Sequence, residues 1–97
     1  MLKISSISAD RRIFISCNDY YEPNEYVEFV KSYQRKLSGK IFAVSKDCQH
    51  GIDNDPYKLI FQWDDLFGIT VVVPIEADIN EVASMLEKLC DEINLVN

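Results

Sequence analysis

Ninety-seven residues, 47% apolar and 11% aromatic, are enough for one domain with its own core, and they exclude a disordered chain. Sixteen acidic against ten basic side chains give a formal net charge of −6, which argues against nucleic acid as a partner, because phosphates demand a basic face. No apolar run approaches the ~20 residues of a membrane span, Met1-Leu2-Lys3-Ile4-Ser5-Ser6 has no long apolar stretch, and three widely spaced cysteines read as reduced thiols, so a cytoplasmic protein without membrane contact is expected.

Leu2 to Ile7 alternates in part, Ala9-Asp10-Arg11 can turn the chain, and Arg12 to Cys17 sets Ile13 and Ile15 on one face, which predicts an opening β-hairpin. Pro23 suits a first helical turn. From there Tyr26, Val30, Tyr33 and Leu37 recur at steps of four, three and four, and Gly39 is a natural stop. Glu22, Glu25 and Glu28 favour the positive end of this first helix, and Lys31, Arg35 and Lys36 its negative end. Lys40 to Ser45 reads as a short strand on Ile41, Phe42 and Val44. Lys46 to Pro56 is rich in Asp, Asn, Gln and Gly and reads as a polar loop.

Tyr57 to Trp63 alternates Leu59, Phe61 and Trp63 against Lys58, Ile60 and Gln62. Asp64-Asp65 begins a turn, and Ile69, Val71 and Val73 return on one face until Pro74, which cannot donate to a ladder. A second helix follows. Asp78 is its N-cap, with Glu81 three residues on. Ile79, Val82, Ala83, Leu86, Leu89, Cys90 and Ile93 form its apolar stripe. The order β-β-α-β-β-β-α predicts a single α+β domain over residues 1–97: a two-layer sandwich with about five antiparallel strands and both helices on one face. A ferredoxin-like order is the nearest alternative, but only Leu95 and Val96 remain for its last strand.

The chemistry-bearing residues are few. Asp47, Cys48, His50, Asp53 and Asp55 share the polar loop, but one Cys and one His fall short of zinc spacing, and Asp53-Asn54-Asp55 runs into Pro56 where a calcium loop needs Gly and a later Glu. There is no nucleophile elbow and no Gly-rich phosphate loop. The expectation is a non-enzyme with no metal and no cofactor. Cys90 reads as a small core residue.

Charge is the main functional clue. Residues 1–52 carry eight basic and six acidic side chains, whereas residues 53–97 carry two basic ones, Lys58 and Lys88, and ten acidic ones. Asp91 and Glu92 sit in the last turn of the second helix, where acids oppose the helix dipole by ~0.3–1 kcal/mol each. Departures from a local rule are enriched at functional sites, with solubility as the competing explanation. Glu81, Glu87, Asp91 and Glu92, with Asp64 and Asp65 at the hairpin tip, are the candidate partner-binding carboxylates. Tyr20 and Tyr21 ahead of the first helix are candidate contacts, tyrosine being favoured in interface hot spots.

In size, acidity and lack of catalytic residues, carried by Asp64, Asp65, Glu81, Glu87, Asp91 and Glu92, the chain resembles small acidic immunity proteins of bacterial toxin systems. That resemblance implies an inhibitor that binds a basic cognate toxin, in particular a nuclease, one to one. Two other classes stay open: a secretion or assembly chaperone holding a peptide along a sheet edge or helix groove, and a small enzyme or metal-dependent regulator using Cys48 and His50. Homodimerisation through the hairpin edge is compatible with each.

Overall fold

The computed structural model describes residues 2–16, 24–37, 40–44, 49–53, 58–64 and 68–96. Its strands are β1 (Lys3–Ile7), β2 (Arg12–Ser16), β3 (Lys40–Val44), β4 (Gln49–Asp53), β5 (Lys58–Asp64) and β6 (Gly68–Val72), with helices α1 (Asn24–Leu37) and α2 (Ile79–Val96). The strands form one antiparallel sheet in the order β1-β2-β6-β5-β4-β3. A hairpin, β1-β2, is thus laid against a four-strand meander, β3 to β6, and α1 carries the chain from β2 to the far edge.

The α+β architecture agrees with the sequence, and the sheet gains a strand. Gln49–Asp53, read from composition as loop, is β4. The reason is pairing: Ile52 opposes Leu59 and His50 opposes Phe61, and Ile52, Leu59 and Phe61 are all fully buried. Two inward residues among polar neighbours are too short a pattern to stand out against Asp, Asn and Gly. Alternation in β4 also sends His50 and Asp53 to opposite faces. Of the loop residues weighed as metal ligands, Asp47, Cys48 and Asp55 lie outside the described residues, as does Cys17.

One face of the sheet presents Ile13, Ile15, Ile52, Leu59, Phe61, Ile69 and Val71, all fully buried. Tyr26, Phe29, Val30 and Tyr33 of α1 and Val82, Leu86, Leu89 and Cys90 of α2 join the same core, so both helices cover that face. The rings of Phe29 and Tyr33 tilt onto Phe61 with centroids 6.0 and 4.8 Å apart. Each such side chain contributes roughly 1.5–3 kcal/mol on leaving water.

Local signals position the helices. Asp78 Oδ1 accepts from the backbone N–H of Asn80 at 2.9 Å and of Glu81 at 3.3 Å, so it caps α2 as its residue type predicts. Near the other end, Asn94 accepts from Leu2 N at 2.8 Å and donates to Leu2 O at 2.9 Å. Its amide pairs with the backbone just ahead of edge strand β1 as a neighbouring strand would. Both edge strands also carry a bulge, between Ile4 and Ser6 and between Ile41 and Ala43. Bulges disrupt the ladder and blunt an edge against further pairing.

The turns before β2 and before α2 are tied together by one side chain. Arg11 has φ 63°, the left-handed region that costs a residue with a Cβ. Its Nε and Nη2 donate to Pro74 O at 3.2 and 2.8 Å, and Nη2 also donates to Ala77 O. Val73 N donates to Arg11 O at 2.9 Å.

Candidate functional site

The site is built on α2, whose buried stripe leaves Glu81, Ser84, Glu87, Lys88, Asp91 and Glu92 exposed. Glu81 and Glu92 lie eleven residues apart, three turns of an α-helix, and so share one line along it. Glu87 and Asp91, four apart, share another. The two lines face different neighbours. Glu81 and Glu92 rim a groove of about 390 Å³ between α2 and α1, floored by Tyr33, Met85 and Leu89 and also edged by Lys36, Ser84 and Lys88. Glu87 and Asp91 rim a groove of about 400 Å³ between α2 and the β1 edge, with Leu2, Lys3, Ile4, Cys90 and Asn94.

The carboxylates are thus brought onto one helix but not into one cluster. Glu92 forms an ion pair with Lys36 of α1, both about half exposed, so one of the four is partly neutralised by the first half of the chain. Such an exposed pair contributes at most about 1 kcal/mol. Lys88 is the single basic residue on α2. Against four carboxylates it leaves the helix strongly negative. Glu76 and Asp78, both exposed just ahead of α2, lengthen the acidic array. In the sequence Asp78 reads only as a cap and Glu76 carries no signal, because it is the turn before α2 that places both beside the helix. Of the other predicted contacts, Asp64 ends β5 opposite Gly68. Asp65, Tyr20 and Tyr21 lie outside the described residues.

Comparison with protein-family models, with curated proteins and with solved structures gives no match.

Two other polar features bear on chemistry. Tyr26 is fully buried, and its hydroxyl donates to Phe61 O at 3.0 Å. His50 Nδ1 lies 2.7 Å from the same hydroxyl oxygen. With the hydroxyl proton directed at Phe61, Nδ1–H of half-buried His50 is the donor to Tyr26. The contact ties α1 to β4 and β5, a structural role. Asp10, fully exposed, has its carboxyl held below the ordinary 3.8 by a hydrogen bond from the Ser8 hydroxyl and then by the Arg12 guanidinium, 3.1 Å away. Among the described residues no three His, Cys, Asp or Glu side chains are grouped so as to hold a metal ion. Among them, too, no helix is long and apolar enough to cross a membrane.

Proposed function

We propose that this protein is a non-enzymatic binding protein whose acidic α2 captures a basic protein, and that it acts as an inhibitor of a cognate toxin, in particular a nuclease, in the manner of an immunity protein. The observation that carries this reading is the exposed side of α2: Glu81, Glu87 and Asp91, with Glu92 shared with Lys36 of α1, against Lys88 as the one base of that helix, extended by Glu76 and Asp78. Carboxylates on a rigid helix can stand where a nuclease holds phosphates, and they steer a positively charged partner during encounter. The helix is anchored by its cap, its core stripe and the Asn94–Leu2 amide pair, so the charges are presented without a cost for ordering the backbone.

The test is parallel affinity capture from the native lysate with the wild-type chain and with Glu81→Lys/Glu87→Lys/Asp91→Lys. A basic protein retained at one-to-one ratio by the wild type and lost by the variant is the expected result. The same proteins on both baits would contradict it. A second reading, a chaperone holding a peptide, draws on the α1–α2 groove, whose apolar floor of Tyr33, Met85 and Leu89 could seat a side chain. In that case the captured protein would be bound through an unfolded segment, and Met85→Lys would release it while the charge reversal would not.

A further inference from the structure

Among the described residues the exposed large apolar side chains are Ile7, Ile75 and Leu95. A single such residue is ordinary on a protein surface. Ile75 is set apart by how it is held. It is 84% exposed, yet the chain on either side of it is anchored by buried Val73 and Ala77. Ala77 N donates to Pro74 O at 3.1 Å, which closes a turn with Ile75 and Glu76 at its tip. Arg11 donates to the carbonyls at both ends of that turn, Pro74 O and Ala77 O, and its own carbonyl accepts from Val73 N. It does so from a left-handed backbone, φ 63°, which a residue with a Cβ adopts at a cost.

Isoleucine is a poor choice for the tip if the turn serves folding only. Turn tips favour Gly, Pro, Asn, Asp and Ser, and Ile75 is not among the side chains packed in the core or against it. An apolar group held in water on a fixed backbone suits a binding anchor: its burial is gained on association, and little backbone order has to be created. We propose that Ile75 is the apolar anchor with which this protein docks on its partner, entering an apolar pocket rimmed by Lys or Arg. The inference rests on the acidic-helix reading above and adds a contact that charge does not supply.

The charges around the turn select the basic rim. Glu76 shares the tip, Asp78 caps α2, and Glu81 follows in the first turn of the helix, all three exposed. Of the bases near by, Arg11 is bonded to the two carbonyls, Arg12 is paired with Asp10, and Lys58 opposes Asp53 in the β4–β5 ladder. The three acids therefore set the sign at this end of α2, and a pocket with an acidic rim is repelled. A second copy of the chain is the poorer occupant, because it brings the same acids to the contact. The two parts of the surface divide the binding between them. Carboxylates act at a distance and set the association rate, whereas Ile75 acts on contact and sets the dissociation rate.

The test places photoreactive benzoylphenylalanine at position 75 of the full chain and irradiates it in the native lysate. The expected product is an adduct with a basic protein, suppressed by excess wild-type chain and far less by excess Ile75→Ser. With that protein purified, Ile75→Ser should raise the dissociation rate constant about 10- to 100-fold and leave the association rate constant within about threefold. Its urea midpoint should match the wild type, which separates docking from folding. A partner that associates more slowly with Glu81→Lys/Glu87→Lys/Asp91→Lys, yet leaves Ile75→Ser no faster than the wild type, overturns the anchor and spares the acidic-helix reading. So does the lack of an adduct when affinity capture retains a basic protein. An adduct with a second copy alone, or with a protein that is not basic, also overturns the anchor. Association indifferent to the reversed charges, with dissociation still raised by Ile75→Ser, overturns the helix reading and leaves the anchor. No adduct and no captured protein overturn both.

Discussion

Arg11 offers a prediction in which backbone and side chain pull in opposite directions. Its φ of 63° is a position that glycine fills without penalty, and a Cβ there costs about 1 kcal/mol. The side chain offsets that cost by bonding the carbonyls of Pro74 and Ala77 and so fastening the β1–β2 turn to the turn before α2. Hydrogen bonds from a charged donor contribute roughly 1.5–3 kcal/mol in sum, taken low here because the site is half-exposed. Arg11→Ala removes the clamp and keeps the strain, so it should destabilise by about 1.5–2.5 kcal/mol. Arg11→Gly removes both, so it should destabilise by about 0.5–1.5 kcal/mol. Urea unfolding at equilibrium reads the two midpoints, with unchanged slopes if only stability moves. Glycine no better than alanine would refute the backbone half of this reasoning. Alanine within about 0.5 kcal/mol of the wild type would refute the side-chain half.

Three further outcomes follow from named contacts. Tyr26→Phe strips the donor from Phe61 O and the acceptor from His50 Nδ1, and should cost about 1–3 kcal/mol by urea unfolding; a neutral result would mean that the hydroxyl is not needed there. Asp78→Ala uncaps α2 and should cost about 1 kcal/mol, with Asp78→Ser close to wild type; equal loss in both would assign the effect to charge and not to capping. Asp10, held low by Ser8 and Arg12, should titrate below 3.8 by NMR, and Ser8→Ala should bring it back towards that value. Because its folded value is depressed, its small contribution is present above its unfolded value and is lost only as pH falls through the folded one, so stability at neutral pH should not change with its titration.

What was legible in the chain was whatever repeats. The stripe Ile79, Val82, Leu86, Cys90 of α2 and the alternation Leu59, Phe61, Trp63 of β5 extend over enough residues for the period to declare itself. The residues they mark for burial pack in the core or against it. β4 was not legible, because five residues with Gly at the centre and only His50 and Ile52 facing inward owe their strand to β5 beside them. Arg11 in a glycine-like position was hidden for the same kind of reason: its carbonyl partners lie over sixty residues away. At the candidate site, periodicity put Glu81, Glu87, Asp91 and Glu92 on the outer side of α2. It could not show that Lys36 would reach Glu92, or that the four would divide between two grooves.

The central claim, that the carboxylates of α2 draw in a basic protein, is tested most directly by association rates. For the partner isolated by capture, the rate constant should fall about 10- to 1,000-fold between low and high salt, and Glu81→Lys/Glu87→Lys/Asp91→Lys should lower it and flatten that dependence. A rate constant indifferent both to salt and to the reversed charges would contradict the claim.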